Sequence, residues 1–438
     1  MEAGGRPCRN GNVRKDLLIS SKNSITTILI VLRRLMHIPR LVKCLSTFLL
    51  CLVGISAQAY TVSKTSSGNA VSYSTDGSES DTQAAINAAA DGDIIRLPAR
   101  SSTWSTGVTV NRGVTIRGQG VSSTTLTNPG TGYSLFRVNC DQVKTRISGI
   151  AFKGQYAIYV GGDYTTAQFR IDNCTFNGGT AQGILLQFGN NAPGLVDHCT
   201  FSAGGASEMI HNLGFSGGND AGWLDDVYPG SASAVYIENC TFTKNPMADK
   251  YFWGTAAIQS YYGARTVMRY CHLNYCHIDQ HGNKPPLYGA RWWEFYNNTF
   301  YVPANGNQSD YFALRGGSGV VFNNHVSGGP NIGAGQIQLY SDESANPPLC
   351  GPGAGIFVNG GRSNSPVYIW GNDPSMTVAS TSSNVIQGRD YLVSSTQPTS
   401  MIKRQLTTDN ASTRYSYKPY VYPHPLDNGS TSQFSPTH

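Results

Sequence analysis

Hydrophobic and polar residues alternate along most of this chain in short runs that return at intervals. The clearest run is Val235–Phe242, and its ending, Asn-Cys-Thr-Phe or a close variant, recurs at 173–176, 198–201 and 297–300. The shortest interval, from residue 150 to residue 174, is 24 residues, and the others are longer. A minimum interval with irregular additions is typical of a solenoid whose coils carry loops of different lengths.

A second alternating run follows each copy of the motif and predicts a second strand in each coil. Because successive side chains of a strand point to opposite faces, every second residue should face inward. The predicted inward residues are Ile158, Ile184, Ile210, Ile258, Ile278, Leu314, Ile337 and Ile356. The phenylalanines at the end of the motif should stack beside them: Phe152, Phe176, Phe201, Phe242 and Phe300. We interpret both sets as core residues rather than ligand contacts.

A helix is predicted ahead of the repeats. Residues 81–90 are rich in alanine. Either Ser80 or Asp81, at the start of this segment, suits an N-cap. Short strands are expected at 94–97 and 114–117. A helix over the first coil would cover the strand edges that an open solenoid end exposes.

The first 59 residues differ in character from the rest. Arg40 and Lys43 precede a short apolar core and the small-residue pattern Ala57-Gln58-Ala59, which predicts a secretory signal peptide at 36–59. The apolar core of about 13 residues is shorter than the roughly 20 that a membrane span needs, so no membrane span is expected. We interpret 1–35 as a misassigned start, 60–426 as one domain and 427–438 as a flexible tail.

Removing the leader changes the charge balance. The chain has 32 Lys and Arg against 26 Asp and Glu, and the part after residue 59 has 23 against 24. Such a nearly neutral body does not predict a nucleic-acid partner.

Seven cysteines follow the leader, and four of them occupy one position of the repeat. The seven are Cys140, Cys174, Cys199, Cys240, Cys271, Cys276 and Cys350. An odd number at irregular spacing is poor support for a disulfide framework, and stacked free thiols are expected instead.

The segments DTQAAINAAADGDIIRLPA and GVTVNRGVTIRGQG, followed by the NCTF repeats, resemble secreted right-handed parallel β-helix proteins. Pectate lyases, pectin lyases and polygalacturonases share that fold. The resemblance covers about residues 60–426 and implies an all-β solenoid of roughly 8–11 coils with a capping helix. The ending at 415–426 also resembles the ends of bacterial β-helix proteins. The polygalacturonase signatures are missing, and no catalytic set transfers residue by residue.

Stacked coils place equivalent residues about 4.8 Å apart, so outward residues of the second strand should form a column. That column is predicted to contain Tyr159, Gln187, His211, Gln259, Asp279, His281, Arg315 and Tyr340. Neighbouring loops could add Trp223, Asp225, Asp226, Lys284, Arg291 and Trp292. Such residues suit a sugar-binding groove. The alternative is an ordinary solvated face.

A β-eliminating lyase must neutralise a uronate carboxylate, remove a proton and assist the leaving oxygen. We predict Arg315, His281 and Asp279 as the catalytic group, with Arg291 and His211 as alternative cation and base. The predicted substrate-binding residues are His211, Gln259, Arg291, Trp223, Tyr340, Asp225 and Asp226. A hydrolase would need two carboxylates, for which Asp225 and Asp226 with Asp279 are the candidates.

A second outward column lies on the motif strand itself, where Asp172, Asp197 and Glu238 occupy one repeat position. Three carboxylates at coil spacing could hold Ca²⁺. The alternative is pairing with Arg170, Arg269 or Lys244.

The sequence therefore predicts a secreted, monomeric β-helix that binds and depolymerises an acidic polysaccharide by elimination. The competing hypotheses are a non-catalytic adhesin or carbohydrate-binding protein and a structural envelope protein.

Overall fold

The structure is a computed structural model that describes residues 60–64, 70–130, 132–139, 144–161, 169–179, 184–190, 192–204, 207–214, 228–245, 255–282, 289–303, 310–328, 336–344, 348, 351–358, 361–404 and 412–427. The predicted leader and residues 428–438 of the predicted tail lie outside these ranges.

Three long sheets run through the described residues, and each turn of the chain between residues 94 and 339 adds one strand to each sheet. The first sheet comprises Thr61–Lys64, Val71–Ser74, Ile94–Arg96, Thr115–Arg117, Thr145–Ser148, Phe169–Asp172, Gly194–Asp197, Val235–Glu238, Arg265–Arg269, Trp292–Tyr296, Ser318–Phe322, Val367–Trp370 and Tyr391–Ser394. The second comprises Ser101–Thr103, Thr125–Thr127, Ala151–Lys153, Thr175–Gly179, Thr200–Ala203, Thr241–Lys244, His272–Asn274, Thr299–Val302 and His325–Gly328. The third comprises Val108–Val110, Phe136–Asn139, Ile158–Gly161, Leu186–Phe188, Ser207–Leu213, Thr255–Tyr261, His277–Gln280, Asp310–Leu314, Gln336–Leu339 and Thr377–Ser380.

Apart from the first hairpin, Thr61–Lys64 with Val71–Ser74, neighbouring strands of these sheets are parallel. The protein is a right-handed parallel β-helix, as the sequence predicts. Each coil has three strands rather than the two expected, because the repeat motif itself spans two of them.

The repeat motif turns a corner between the first and second sheets. In Val235–Phe242 the first strand ends at Glu238, Asn239 has φ +52°, and the second strand begins at Thr241. The equivalent corner residues also have positive φ: Gly149, Asn173, His198, Tyr270, Asn297, Asn323 and Gly371. Asparagine and glycine tolerate this conformation best, which explains why asparagine recurs. Asn239 itself is partly exposed, so the corner residue of the motif does not belong to the internal ladders.

The core consists of ladders of apolar side chains. Phe152, Phe176, Phe201 and Phe242 stack with ring centroids 4.6 to 5.0 Å apart. In the third sheet the buried row is Phe136, Ile158, Leu186, Ile210, Ile258, Ile278, Phe312 and Ile337. One predicted member was misplaced. Leu186 holds the row position that Ile184 was expected to fill, and Ile184 precedes the strand and is only partly buried. Leu314 is buried in the core as predicted, two residues beyond Phe312 on the same face.

The cysteine position forms a second ladder inside the corner. Cys174, Cys199, Cys240 and Cys271 are buried free thiols, as is Cys276. From Asn298 onward the ladder becomes amides, and Asn298 accepts the backbone N–H of Cys271 at 3.0 Å. Asn324 and Asn372 continue it in the same way. Cys140 and Cys350 lie outside the described residues.

The predicted helix begins two residues early. It spans Glu79–Ala88, and the Ser78 side chain accepts the backbone N–H of Asp81 as the N-cap. Ala85 and Ile86 are buried against the first coils, so the helix covers the solenoid end.

The long interval before residue 372 is one coil with an inserted hairpin. Ala354–Val358 pairs with Gly361–Asn364 in antiparallel register. The predicted coil strand with Ile356 facing inward was therefore wrong, since that segment belongs to the insertion. A second hairpin joins Met401–Arg404 to Ser412–Tyr415.

The chain after this hairpin, 415–427, packs across the outer face of the first sheet. Tyr417 donates to Glu294 Oε2 at 2.6 Å, and the guanidinium of Arg269 donates to the carbonyls of Tyr420 and Val421. The outward column predicted on this sheet is therefore buried. Among the described residues, no helix has the length and apolar character to cross a membrane.

Candidate functional site

The predicted groove column forms on the outer face of the third sheet, but it consists of two rows. Tyr159, Gln187, His211, Gln259 and Asp279 are successive register partners. The row then continues to Ala313 and Gln338. His281, Arg315 and Tyr340 lie two residues further along their coils, just after the strands end.

Asp279, His281 and Arg315 are in direct contact. Arg315 Nε and Nη2 donate to Oδ1 and Oδ2 of Asp279 at 3.0 and 2.5 Å. Nη2 also contacts His281 Nε2, which lies 3.4 Å from Asp279 Oδ2. Burial opposes ionisation of Asp279, yet the charge of Arg315 outweighs burial and lowers its pKa. The carboxylate is thus fixed in its ionised form.

Gln259 and Tyr261 extend this contact along the preceding coil. Gln259 donates to Asp279 Oδ2 at 2.7 Å and accepts the Tyr261 hydroxyl at 2.7 Å. The Tyr261 ring stacks on the His281 imidazole at 3.9 Å and 22°. Burial, followed by the charge of Glu208, raises the pKa of Tyr261, so the phenol keeps its proton.

Glu208 and His211 form the wall one coil earlier. Burial raises the pKa of Glu208 to about 7, with Asp279 adding to the effect. Burial lowers the pKa of His211 to about 4. Glu208 Oε2 lies 3.5 Å from His211 Nδ1, a distance compatible with an ion pair. Both shifts instead favour the uncharged forms, and we favour that description because neither His211 ring nitrogen makes a hydrogen bond within the described residues.

Tyr340 and Asp342 complete the opposite side. The Arg315 guanidinium carbon lies 5.8 Å from the Tyr340 ring centroid, and Nη1 lies 3.6 Å from Asp342 Oδ2. Nη1 of Arg315 therefore faces Asp342, which is more exposed than Asp279.

Tyr159 forms a platform further along the same face. A Cβ added to Gly161 would lie 2.3 Å from its ring, and one added to Gly189 would lie 2.8 Å from its hydroxyl. The ring therefore lies flat across two glycines, with the Arg137 guanidinium 5.6 Å from its centroid. An aromatic face beside a cation suits an acidic sugar.

Two other predicted site residues, Arg291 and Trp292, do not reach this face. Arg291 is fully buried at the start of a first-sheet strand, and Trp292 is buried with its indole N–H on Glu294. Trp223, Asp225, Asp226 and Lys284 lie outside the described residues.

The predicted metal column is in register but carries arginine partners. Asp172 binds Arg146 at 2.6 Å, Asp197 binds Arg170 at 2.7 Å, and Glu238 binds Arg269 at 2.5 Å.

This supports the ion-pair alternative that the sequence left open, with Arg146 as an additional partner. Within the described residues, ligand atoms of Asp197, His198 and Asp427 lie within 4.8 Å of one another. Arg170 already binds both of these aspartates.

Sequence reasoning missed Glu208, Tyr261 and Asp342. Tyr261 stands two residues after Gln259, so strand alternation could have placed it on the same face. Glu208 and His211 are three residues apart, and strict strand alternation would place them on opposite faces.

The fold and the site define this chain as a parallel β-helix with a polar face on its third sheet. No protein-family model and no curated protein matches the sequence. Among solved structures it is similar to an alginate lyase from a Paenibacillus species, with 14% identity over 70% of this chain and 97% of that one and a TM-score of 0.39.

It is also similar to a pectin methylesterase from Erwinia chrysanthemi, with 10% identity over 61% of this chain and 88% of that one and a TM-score of 0.37. A third similar structure is the A-module of a mannuronan C-5 epimerase from Azotobacter vinelandii. It has 12% identity over 73% of this chain and 97% of that one, with a TM-score of 0.29. At these values the likenesses carry no argument about the reaction.

Proposed function

We propose that the third-sheet face binds a polysaccharide and depolymerises it, with Asp279, His281 and Arg315 at the reacting centre. The observation that carries this proposal is the direct contact of these three side chains on a partly open face. Their neighbours, Gln259 and Tyr340, provide an amide and an aromatic ring for sugar hydroxyls and sugar faces.

The reaction we propose is β-elimination on a uronate-containing polymer. Arg315 Nη1 pairs with the uronate carboxylate and makes the adjacent carbon more acidic. His281 is neutral when its Nε2 accepts from Arg315. That contact opens when the substrate binds, and the freed Nε2 takes the proton from that carbon. The electron pair forms the carbon–carbon double bond and the glycosidic carbon–oxygen bond breaks. Tyr261 supplies the proton that the leaving oxygen needs, while Asp279 positions Arg315.

Hydrolysis is the second candidate, and one observation favours it. The environments of Glu208 and Asp279 shift their pKa values in opposite directions, to about 7 for Glu208 and below the ordinary value for Asp279. A protonated and an ionised carboxyl on one face are the two groups that glycoside hydrolysis requires.

One assay separates these reactions. The protein is incubated with alginate, polygalacturonate and a neutral glucan, and both new reducing ends and the ultraviolet absorbance of unsaturated sugar ends are measured. Elimination raises both signals on the acidic polymers, whereas hydrolysis raises reducing ends alone. Binding without either signal on any polymer would reject catalysis and favour the carbohydrate-binding alternative.

If His281 transfers the proton, the variant His281→Ala should cleave the polymer about a hundredfold more slowly, or slower still. His272→Ala is the matched control, since that histidine is exposed on the second sheet. Equal rates for the two variants would remove His281 from the mechanism.

We also propose that the protein acts outside the cytoplasm, on the basis of the signal-peptide pattern at 36–59. N-terminal sequencing of protein recovered from culture medium or periplasm should begin at Tyr60. A cytoplasmic product beginning at Met1 or Met36 would reject this.

A further inference from the structure

A pocket of about 440 Å³ lies on the outer face of the first sheet, in the coils nearest the capping helix. Its lining includes Arg96, Arg117 and Arg146, which come from three successive strands of that sheet. The sequence GVTIRGQG supplies Arg117 and the loop that follows it. None of these residues belongs to the third-sheet face.

The positive charge of this pocket is only partly balanced. Arg96 and Arg117 are register partners, so their backbones lie about 4.8 Å apart. Arg146 is neutralised by Asp172, with contacts of 2.6 and 2.7 Å. Arg96 donates to the Ser72 hydroxyl at 3.3 Å. Within the described ranges, the Arg117 guanidinium makes no hydrogen bond or ion pair. Two like charges in adjacent coils thus face a cavity without a carboxylate between them.

Glycine lets two adjacent coils that line the cavity approach closely. A Cβ on Gly118 would lie 2.2 Å from the Gly149 carbonyl oxygen, so the two coils approach too closely there for any larger residue. Thr115 and the exposed Gln119 and Asn173 also line the cavity. The lining therefore combines cations with hydroxyl and amide groups.

We propose that this pocket binds a sugar-sized acid through its carboxylate, held by Arg117 and Arg96. A guanidinium presents parallel N–H groups that match the two oxygens of a carboxylate. A volume of about 440 Å³ falls within the range of small-molecule pockets and exceeds what a bare inorganic ion fills. Thr115, Gln119 and Asn173 suit the hydroxyl groups of such a ligand. The site is separate from the proposed reacting centre and does not depend on it.

Isothermal titration calorimetry with glucuronate, glucose and inorganic sulfate tests this proposal. Glucuronate should bind, glucose should not, and sulfate should bind more weakly than glucuronate. Raising the ionic strength should weaken glucuronate binding because the contact is electrostatic. A short uronate oligosaccharide in a further titration distinguishes a free acid from the end of a polymer as the natural source.

Arg117→Gln should weaken glucuronate binding at least about tenfold. Arg112→Gln removes the same charge from an exposed residue outside the pocket and should leave binding unchanged. Thermal unfolding without ligand checks that both variants are folded, and Arg117→Gln should not lower the midpoint because it relieves repulsion. His281→Ala should bind glucuronate normally, which keeps this site distinguishable from the third-sheet face.

Equal affinity for glucose and glucuronate would overturn the proposal, as would equal affinities of Arg117→Gln and Arg112→Gln. Binding of sulfate without glucuronate would also overturn it, since the pocket would then accept an ion but not a sugar acid.

Discussion

Asp279 determines the geometry of the candidate site at the scale of single residues. Its carboxylate holds Arg315 through two contacts and receives Gln259 on the same oxygen as one of them. All three side chains are largely shielded from water, so these contacts are weakly screened. A change at Asp279 should therefore affect both stability and the position of Arg315.

Asp279→Asn should lower the free energy of unfolding by about 3 kcal/mol, because it leaves the Arg315 charge buried without its partner. Urea denaturation measures this. The double variant Asp279→Asn with Arg315→Gln should recover part of the loss. If the two single effects simply add in the double variant, the pair does not interact as the structure indicates.

The shifted pKa values of Glu208 and His211 predict opposite pH dependences of stability. The pKa of Glu208 is raised from 4.5 to about 7, so its stabilising contribution is full below pH 4.5 and is lost as the pH rises towards 7. The pKa of His211 is lowered from 6.5 to about 4, so its contribution is full above pH 6.5 and is lost as the pH falls towards 4. In the wild type the two slopes nearly cancel between pH 4.5 and 6.5.

Glu208→Gln should therefore become more stable, relative to wild type, as the pH rises through this interval. His211→Asn should become relatively less stable, and each difference should reach at most about 3 kcal/mol. Urea midpoints measured at several pH values test this. If the urea midpoints of both variants follow the same pH dependence as that of the wild type, neither side chain has a shifted pKa in the folded protein.

The sequence predicted Asp279, His281 and Arg315 as a group because strand alternation and coil stacking are local rules. It did not predict the network through Tyr261, nor the environment of Glu208. The contacts of Tyr261 depend on the strand Thr255–Tyr261 extending to that residue. Glu208 lies three residues from His211, where strict alternation would separate the two.

At the scale of single elements, the corner between the first two sheets sets the coil. Asn297 has φ +56°, and its side chain makes no hydrogen bond with the described residues. Asn297→Ala should cost about 1 kcal/mol because a Cβ-bearing residue without a polar group is strained there. Asn297→Gly should be nearly neutral, and thermal unfolding of both distinguishes them. A larger loss for glycine than for alanine would contradict the backbone explanation.

The elements themselves were predictable to different degrees. The motif indicated the stacking of Phe176, Phe201 and Phe242 directly, since identical residues at the same position of each repeat meet in adjacent coils. The second-sheet strands were missed because several are three residues long, too short for alternation to be recognised. The helix start was misplaced because Ser78, Ser80 and Asp81 are all residue types that suit an N-cap. In the structure the N-cap is Ser78.

At the scale of the whole molecule, the segment 415–427 buries part of the outer face of the first sheet. Arg170 reaches Asp427 and the Leu426 carbonyl, and the backbone N–H of His424 donates to Glu238 at 3.1 Å. These contacts join residues more than 180 positions apart in the sequence. A repeat pattern carries no information about such distant contacts, so the sequence placed Glu238 on a solvated column.

Arg269 is the main attachment between this segment and the solenoid. It is fully buried, binds Glu238 at 2.5 Å, and donates to Tyr296 and to the carbonyls of Tyr420 and Val421. Arg269→Met should lower the free energy of unfolding by about 3 kcal/mol, because Glu238 stays buried without its cation. The exposed Arg112→Met is the matched control.

Hydrogen exchange decides whether that loss is local or global. The amides of 415–427 should lose protection in Arg269→Met, while the third-sheet strand His277–Gln280 should keep it, because the attachment lies on the other sheet. The activity or binding assigned to the third-sheet face should then be retained. Unchanged protection of 415–427 would mean that the aromatic contacts of Tyr417 and Tyr420 hold the segment without Arg269. Loss of protection throughout would mean that the segment and the solenoid unfold as one cooperative unit.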